Sequence, residues 1–155
     1  MCIRDSFKEV NDTHGHLIGD RVLEYVAKIC VSGLRSYDII GRYGGEEFVI
    51  LLPETTAQMM LFDQTNMTSI MEPAKIVAER IRRAFEGDCL RTEKGNLFIR
   101  VSLGIAEMTE GMERIEQLIY RADQALLHSK RMGRNRVSIW PLSEDAGNVS
   151  IDEGA

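Results

Sequence analysis

Paired glycines inside an apolar segment are the feature that most constrains how this chain folds. Residues 39–52 contain two short strand-like runs, one on each side of Gly44-Gly45. Consecutive glycines tolerate the positive φ angles that tight hairpin turns require. The segment therefore predicts a β-hairpin whose turn lies at the two glycines.

Helical and strand-like patterns alternate along the rest of the chain. Apolar residues at helical spacing predict helices over 20–32, 73–86 and 115–132. Strand patterns cover 97–106, after a turn at 94–96, and 136–140. Residues 55–72 predict a loop with partial helical character. This alternation is typical of layered α/β or α+β folds. A strand should precede the first helix, but only six residues are available for it.

Length and composition favour one domain that binds neither nucleic acid nor membranes. The chain has 155 residues, of which 44% are hydrophobic, enough for a single core. Its net charge is -5, whereas proteins that bind phosphate backbones or anionic lipids usually carry an excess of positive side chains. Three cysteines without CxxC spacing predict neither a disulfide framework nor a zinc site. With no signal sequence and no apolar run near the roughly 18 residues of a membrane span, we expect a cytoplasmic domain, although its parent protein could be membrane-anchored.

Two carboxylates follow the glycines and indicate what the hairpin could bind. A turn without side chains lets the backbone approach a bulky ligand. Glu46 and Glu47 are neighbours, so on a strand they point to opposite faces. One of them could hold Mg²⁺, which takes one or two protein carboxylates and completes its shell with phosphate and water oxygens. A charged hairpin tip that is merely solvated explains the same residues, so both interpretations stay open here.

Four ordered sequence blocks resemble the GGDEF family of diguanylate cyclases. Residues 7–20 read FKEVNDTHGHLIGD, similar to the family's FKxxND…GHxxGD stretch. Residues 42–48 read RYGGEEF, which resembles its signature hairpin, and residues 102–106 read SLGIA, like its SxGxA strand. The closing block reads ADQAL at 122–126 and GRNRV at 133–137. The resemblance spans about residues 7–140.

The resemblance implies a fold, a reaction and partners. The fold would be a ferredoxin-like or palm-like α+β sandwich, with a mainly antiparallel central sheet flanked by helices and with its first central strand missing or incomplete. The reaction would condense two GTP molecules into cyclic di-GMP and pyrophosphate, with Mg²⁺ or Mn²⁺ as cofactor. Because the attack is reciprocal, two domains would meet as a homodimer. Such domains usually follow an upstream sensory domain.

The resemblance assigns Asn11, His16 and Asp20 to the guanine base and ribose of GTP. A guanine edge offers N1–H and N2–H donors together with O6 and N7 acceptors. An aspartate accepts from the donors, and an asparagine amide serves both kinds of partner. From the residues alone, a helix-cap or turn role for Asn11 stays open.

The triphosphate would be neutralised by Lys8, Lys130 and Arg134, which match cations of the family. Phosphoryl transfer needs such groups for charge stabilisation and positioning. Lys130 and Arg134 are four residues apart at a helix C-terminus, so they could share a face, although cations there also complement the helix dipole. Gly44 and Gly45 would let the backbone approach the substrate closely.

The metal and catalytic residues of the family are only partly present. Glu46 matches a metal ligand, and Glu47 matches the acid expected to assist activation of the 3′-hydroxyl or metal binding. A further metal-binding aspartate of the family is replaced by Ile3, and Asp5 could partly take over its role. We expect residues 1–6 to be a remnant or non-native start of the first strand, before a GGDEF domain at 7–141 and a disordered acidic tail at 142–155. The chain as written should therefore have little or no cyclase activity.

Arg35 and Asp38 match the family's RxxD site for inhibition by cyclic di-GMP. An arginine can stack on a base and fork onto phosphate or guanine, and an aspartate accepts from the guanine edge. Two alternatives to a cyclase stay open. One is a domain that binds GTP or cyclic di-GMP without turnover, and the other is an interaction domain with no nucleotide role. Residues 57–72 are longer than the family's usual connection and should lie at the surface.

Overall fold

The computed structural model describes residues 4–53 and 73–142, with side chains described from residue 7 onward. The helices in these ranges are α1 (Arg4–His14), α2 (His16–Ser32), α3 (Pro73–Glu86) and α4 (Ile115–Arg131). The strands are β1 (Ile39–Gly44), β2 (Glu47–Leu51), β3 (Leu90–Thr92), β4 (Gly95–Leu97), β5 (Leu103–Ile105) and β6 (Val137–Ile139). None of the helices in this part of the chain is long and apolar enough to cross a bilayer.

The strands form three pairs. β1 with β2, and β3 with β4, are antiparallel, whereas β5 and β6 are parallel. Parallel neighbours need a crossover connection, and α4 provides it between β5 and β6. Two hairpins and one β–α–β unit, packed with three further helices, make up the α+β architecture that the alternating sequence patterns predict.

The core is built around one apolar stripe on each of α2 and α3. Val22, Val26 and Cys30 of α2 are spaced four residues apart and are almost completely buried. Ile81 and Phe85 of α3 have the same spacing and are equally buried. Residues four apart share a helix face, so each helix turns one face to the core. The strands and the segment before β5 add further buried side chains, namely Phe48, Ile99, Val101 and Leu103.

Helix α4 approaches β5 so closely that only glycine fits at position 104. A Cβ added to Gly104 would lie 2.8 Å from the Cα of Leu126, and still closer to the Leu126 nitrogen and the Ala122 carbonyl oxygen. On the same helix, the buried Ser129 hydroxyl donates a hydrogen bond to the Leu103 carbonyl at 2.9 Å. The same hydroxyl lies 2.7 Å from that of Ser138 on β6. Backbone contact and a buried hydroxyl bridge thus hold the β–α–β unit together.

Several predicted elements are confirmed. Helix α3 covers Pro73–Glu86, as its apolar spacing indicates, and the hairpin forms. Its turn consists of Gly45 and Glu46 rather than of the two glycines, so Glu46 is not on a strand. Helix α2 begins at His16 rather than at residue 20, because the chain breaks from α1 only at Gly15, whose φ is 84°. Helix α4 ends one residue earlier than predicted, at Arg131.

The predicted strand at 97–106 is wrong in its extent. β4 ends at Leu97. After a single bridge residue at Ser102, strand β5 covers only Leu103–Ile105, where β6 offers a partner of three residues. A strand exists only where another strand pairs with its backbone N–H and C=O groups. The hydrophobic pattern of one segment does not reveal where that partner lies. β3 was not predicted, since three residues are too few for a recognisable period. The turn lies at 93–94, so two of the residues predicted to turn belong to β4.

Residues 4–6 are helical, so the strand expected over residues 1–6 is not found there. Ile3 lies outside the described residues, and Asp5 lies in the first turn of α1 with its side chain outside them. The segment at 55–72 and the tail from Ser143 also fall outside the described residues. The division of the chain at residues 6 and 141 stays a prediction.

Candidate functional site

The glycine-tipped hairpin is closed by an irregular pair and by an arginine side chain. Arg42 pairs with Phe48 and Gly44 pairs with Glu47, so the register shifts and Tyr43 has no partner strand residue. An extra residue of this kind bends the strand and increases its twist. Gly45 has a φ of 35°, and its carbonyl accepts a hydrogen bond from Arg42 Nε at 2.8 Å. Arg42 therefore stabilises the tip, a role that its place in the motif did not reveal.

The space around the two glycines is open. A Cβ built on Gly44 or Gly45 meets no heavy atom within 4 Å. Packing against the described residues therefore does not explain why side chains are missing at both positions. Phe48, at the other end of the tip, is buried and anchors the hairpin in the core. Phe48 therefore anchors the hairpin, and at the tip a ligand can approach the backbone of Gly44 and Gly45 directly.

The acidic pair supplies the type of oxygen donor that Mg²⁺ prefers. Glu46 and Glu47 are both half-buried beside the tip. The described residues contain no group of three or more His, Cys, Asp and Glu side chains placed to hold a metal ion. A divalent cation here would therefore depend on phosphate and water oxygens for most of its ligands, as Mg²⁺ commonly does. Within residues 7–53 and 73–142, the donor set fits such a shared ion.

The corner between α1 and α2 brings together three predicted guanine ligands. The Gly15 amide donates to the Asn11 carbonyl at 2.9 Å, and the left-handed glycine turns the chain into α2. His16 and Asp20 are exposed and lie one helical turn apart on α2. Lys8 is exposed on α1, three residues before Asn11. All four polar side chains therefore belong to one helix–turn–helix corner.

Gly19 makes the space that the Asn11 side chain occupies. A Cβ at Gly19 would lie 3.0 Å from Asn11 Cγ and closer to Oδ1. Asn11 Oδ1 is shielded from solvent and has no hydrogen-bond partner among the described residues. The side chain lies within α1, before its last turn ends, and caps neither helix. A buried acceptor of this kind is costly unless a donor reaches it, which fits a binding role better than a cap.

The cations at the end of α4 do not share a helix face. The helix ends at Arg131, and Arg134 lies beyond it with a left-handed φ of 62°. The expectation that Lys130 and Arg134 share a face is therefore wrong, because residues past the helix end leave its 3.6-residue period. Lys130 is half-buried and Arg134 exposed. The Arg134 amide donates to the Ser129 carbonyl at 3.0 Å, which ties the turn to the helix.

A polar network fastens the turn that carries Arg134. Asn135, also left-handed with a φ of 47°, donates from Nδ2 to Glu86 at 2.8 Å and from its amide to the buried Ser102 hydroxyl at 3.1 Å. Arg82 donates to Glu86 at 2.7 Å and to Asn135 Oδ1 at 3.3 Å. Hydrogen bonds from Asn135 and then from Arg82 hold the pKa of the Glu86 carboxyl below its usual value. Sequence reasoning missed Arg82 and Glu86, whose only signal was helical charge spacing.

The segment between α2 and β1 forms a tight turn that brings Arg35 and Asp38 together. The Asp38 amide donates to the Arg35 carbonyl at 3.1 Å. In return, the Arg35 amide donates to Asp38 Oδ2 at 2.7 Å. β1 starts at the next residue, and its six residues span about 20 Å. The predicted inhibitory pair therefore lies at the opposite end of β1 from the glycine tip.

Fold and site together define a palm-like α+β domain with an open acidic hairpin, a polar helix corner and a separate Arg–Asp turn. The chain matches the family model described as "Diguanylate cyclase, GGDEF domain" over residues 1–136. It belongs to the GGDEF family.

Relatives and solved structures agree with this assignment. The chain is 39% identical over 135 residues to diguanylate cyclase A of Treponema denticola, covering 87% of this chain and 33% of that protein. It therefore spans about a third of the length of this curated relative. A solved active GGEEF domain of a diguanylate cyclase from Vibrio cholerae is 36% identical with a TM-score of 0.74, covering 90% and 79% of the two chains. The GGDEF domain of DgcB from Caulobacter crescentus, solved in complex with c-di-GMP, is 35% identical with a TM-score of 0.72, covering 87% and 72%.

Proposed function

We propose that this domain binds GTP and is the catalytic domain of a diguanylate cyclase. The observation that carries the proposal is the open glycine tip beside Glu46 and Glu47, in a chain of the GGDEF family. In the proposed reaction, the 3′-hydroxyl oxygen of one GTP attacks the α-phosphorus of a second, and the bond to pyrophosphate breaks. Repeating the step in the opposite direction closes the cyclic product. Because each GTP is both attacker and target, two copies of the domain must face each other.

Guanine recognition is proposed for the corner between α1 and α2. Asn11 Oδ1 is a buried acceptor that no described residue satisfies, and guanine N1–H and N2–H are donors. The exposed Asp20 carboxylate would accept from the same edge, and His16 would contact the ribose or base. Guanine presents two adjacent donors to the Asn11 oxygen and the Asp20 carboxylate, whereas adenine presents only its N6 amino donor, which favours guanine over adenine.

The triphosphate is proposed to contact Lys8, Lys130 and Arg134. Their positive charges would stabilise the negative charge that develops during phosphoryl transfer. Mg²⁺ or Mn²⁺ would be held by Glu46, with Asp5 as the proposed additional acid, and would neutralise phosphate oxygens. Glu47 would accept the proton that leaves the attacking 3′-hydroxyl. The network of Arg82, Glu86 and Asn135 would keep the Arg134 turn in place.

Arg35 and Asp38 are proposed to bind cyclic di-GMP as an inhibitor. Their turn lies at the far end of β1 from the glycine tip, so product bound there would not occupy the substrate position. We further propose that the domain is cytoplasmic and that an upstream sensory domain regulates it. The chain spans about a third of its curated relative, which supports the second part of this proposal.

A second candidate is nucleotide binding without turnover by the chain as written. Two observations favour it: residue 3 is isoleucine where the family carries a metal-binding aspartate, and residues 4–6 are helical rather than extended. In this form, Glu46 would be the main protein ligand of the metal, and the reacting atoms would be poorly positioned.

The two candidates are separated by measuring GTP binding and product formation on the same samples. We expect calorimetry with GTP and Mg²⁺ to show binding, and chromatography to show little cyclic di-GMP. Glu46→Gln should weaken GTP binding about tenfold or more, because it removes a charged contact of about 1.5–3 kcal/mol. Glu93→Gln, which changes an exposed acid in the β3–β4 turn, is the matched control. Ile3→Asp should raise turnover if the missing ligand is the cause.

Three results would count against these assignments. Equal GTP affinity in Glu46→Gln and Glu93→Gln would remove the hairpin from the site. Rapid product formation by the chain as written would exclude the binding-only candidate. Absence of GTP binding at millimolar concentrations would contradict both candidates.

A further inference from the structure

We propose that Tyr37 sets the affinity of the Arg35–Asp38 turn for cyclic di-GMP, by holding the Arg35 guanidinium in a contact that the ligand must displace. The inference rests on the proposed role of this turn as a product site. Tyr37 occupies a variable position within the RxxD pattern, and the pattern itself assigns it no role.

The contact involves two different parts of the tyrosine. Arg35 Nη1 donates a hydrogen bond to the Tyr37 hydroxyl oxygen at 2.7 Å. The Arg35 Cζ atom lies 5.7 Å from the centroid of the Tyr37 ring, within the range of a cation–π interaction. One N–H donor of the guanidinium is therefore engaged by Tyr37, and its charge lies near the tyrosine ring.

A guanine nucleotide needs the same features of Arg35. A guanidinium recognises phosphate or the guanine O6/N7 edge through two parallel N–H groups, and it stacks on an aromatic base with its flat face. While Nη1 donates to the Tyr37 hydroxyl, it cannot donate to a nucleotide. Binding of cyclic di-GMP therefore requires the Arg35–Tyr37 contact to open, and the cost of opening lowers the affinity.

The rest of the turn is already arranged for a ligand. Reciprocal hydrogen bonds between Arg35 and Asp38 hold their backbones in place. Asp38 Oδ1 is shielded from solvent and lacks a hydrogen-bond partner among the described residues. A donor that reaches this oxygen would remove the cost of a buried, unsatisfied acceptor. Because these hydrogen bonds fix the backbone of the turn, we assign the cost of binding to the side-chain contact between Arg35 and Tyr37.

The test is a double-mutant cycle with cyclic di-GMP as the titrated probe. Calorimetry would compare the wild-type chain with Tyr37→Phe, Arg35→Ala and the double variant. Tyr37→Phe retains the ring and removes the hydroxyl, so we expect binding to tighten about two- to fivefold, as loss of an exposed hydrogen bond implies. In the Arg35→Ala background, the tyrosine substitution should have no effect. Tyr120→Phe, an exposed tyrosine on α4, is the matched control.

The outcomes separate the role of Tyr37 from the product site on which that role depends. Tightening in Tyr37→Phe that disappears without Arg35 supports the inference. Unchanged or weaker binding in Tyr37→Phe, with binding still weakened in Arg35→Ala, overturns the role of Tyr37 and leaves the product site standing. Binding that is unaffected by Arg35→Ala, or absent in the wild-type chain, overturns the product site and the inference together. The substituted side chains, those of Arg35, Tyr37 and Tyr120, are exposed, so the variants should fold like the wild-type chain. Equal thermal unfolding midpoints would confirm this.

Discussion

Replacing Gly104 with alanine should strongly destabilise the domain, because the obstacles to the new methyl group are backbone atoms. The added Cβ would lie 2.8 Å from Leu126 Cα and closer still to two further backbone atoms of α4. Gly104 does not have a positive φ, so the effect is steric and owes nothing to backbone strain. Helix α4 cannot shift freely, since Ser129 ties it to β5 and β6.

The expected cost follows from what must move. Overpacking a core with one methyl group typically costs about 1–3 kcal/mol when side chains can adjust. Here a whole helix must retreat from its strand, so we expect at least about 3 kcal/mol. A domain of this kind has about 5–15 kcal/mol of stability in total. The variant should therefore lose a large fraction of it.

The assay is urea unfolding followed by far-UV circular dichroism, with free energies from linear extrapolation. Gly41→Ala is the matched control, because a Cβ at Gly41 meets nothing within 4 Å and its φ is not positive. The control should be neutral, or more stable by up to about 1 kcal/mol, since glycine weakens a strand interior. A Gly104→Ala variant within about 1 kcal/mol of wild type would refute the close approach of α4 to β5.

Three further substitutions or conditions test other parts of the structure. Ser129→Ala should cost about 1–3 kcal/mol in the same unfolding assay, because it leaves buried polar partners unsatisfied. Burial raises the pKa of the Cys30 thiol from 9.0 to about 12. The stability that this group contributes should be complete below pH 9 and should be lost as the pH rises toward 12, which unfolding measured across pH would detect. Cys30 should also react with thiol reagents far more slowly than the half-buried Cys89. Gly19→Ala should displace the Asn11 side chain and weaken GTP binding several-fold in calorimetry, with a smaller effect on stability because a side-chain end can move.

Matched variants serve as controls for the Ser129, Cys30 and Gly19 experiments. Ser32→Ala removes an exposed hydroxyl that donates to the Ile29 carbonyl of its own helix, and it should cost less than about 0.5 kcal/mol. An equal loss in both serine variants would contradict the bridging role of Ser129. Thiol labelling is best read in a Cys2→Ser background, where equally fast labelling of both remaining cysteines would exclude a buried Cys30. For Gly19→Ala, Gly41→Ala is again the control, and unchanged GTP affinity would remove Asn11 from the guanine site.

Local chemistry in the sequence was enough to predict the hairpin and helix α3. Paired glycines between apolar runs allow few backbone conformations other than a tight turn. The apolar spacing of residues 73–86, with proline at the start, describes an amphipathic helix whose ends match those observed. The motif blocks were also sufficient to identify the family, because they depend on residue identity and order.

Tertiary structure decided the features that depend on partners distant in sequence. Strand β5 covers three residues because β6 pairs with only three. Arg134 leaves the face of Lys130 because α4 ends before it, and Asn135 is held by Glu86, 49 residues away. Periodicity reports the environment of one segment, whereas backbone pairing and buried hydrogen bonds need a second segment in a defined position. The sequence by itself therefore determined the family and the acidic hairpin, and only the fold showed that Gly19 accommodates Asn11.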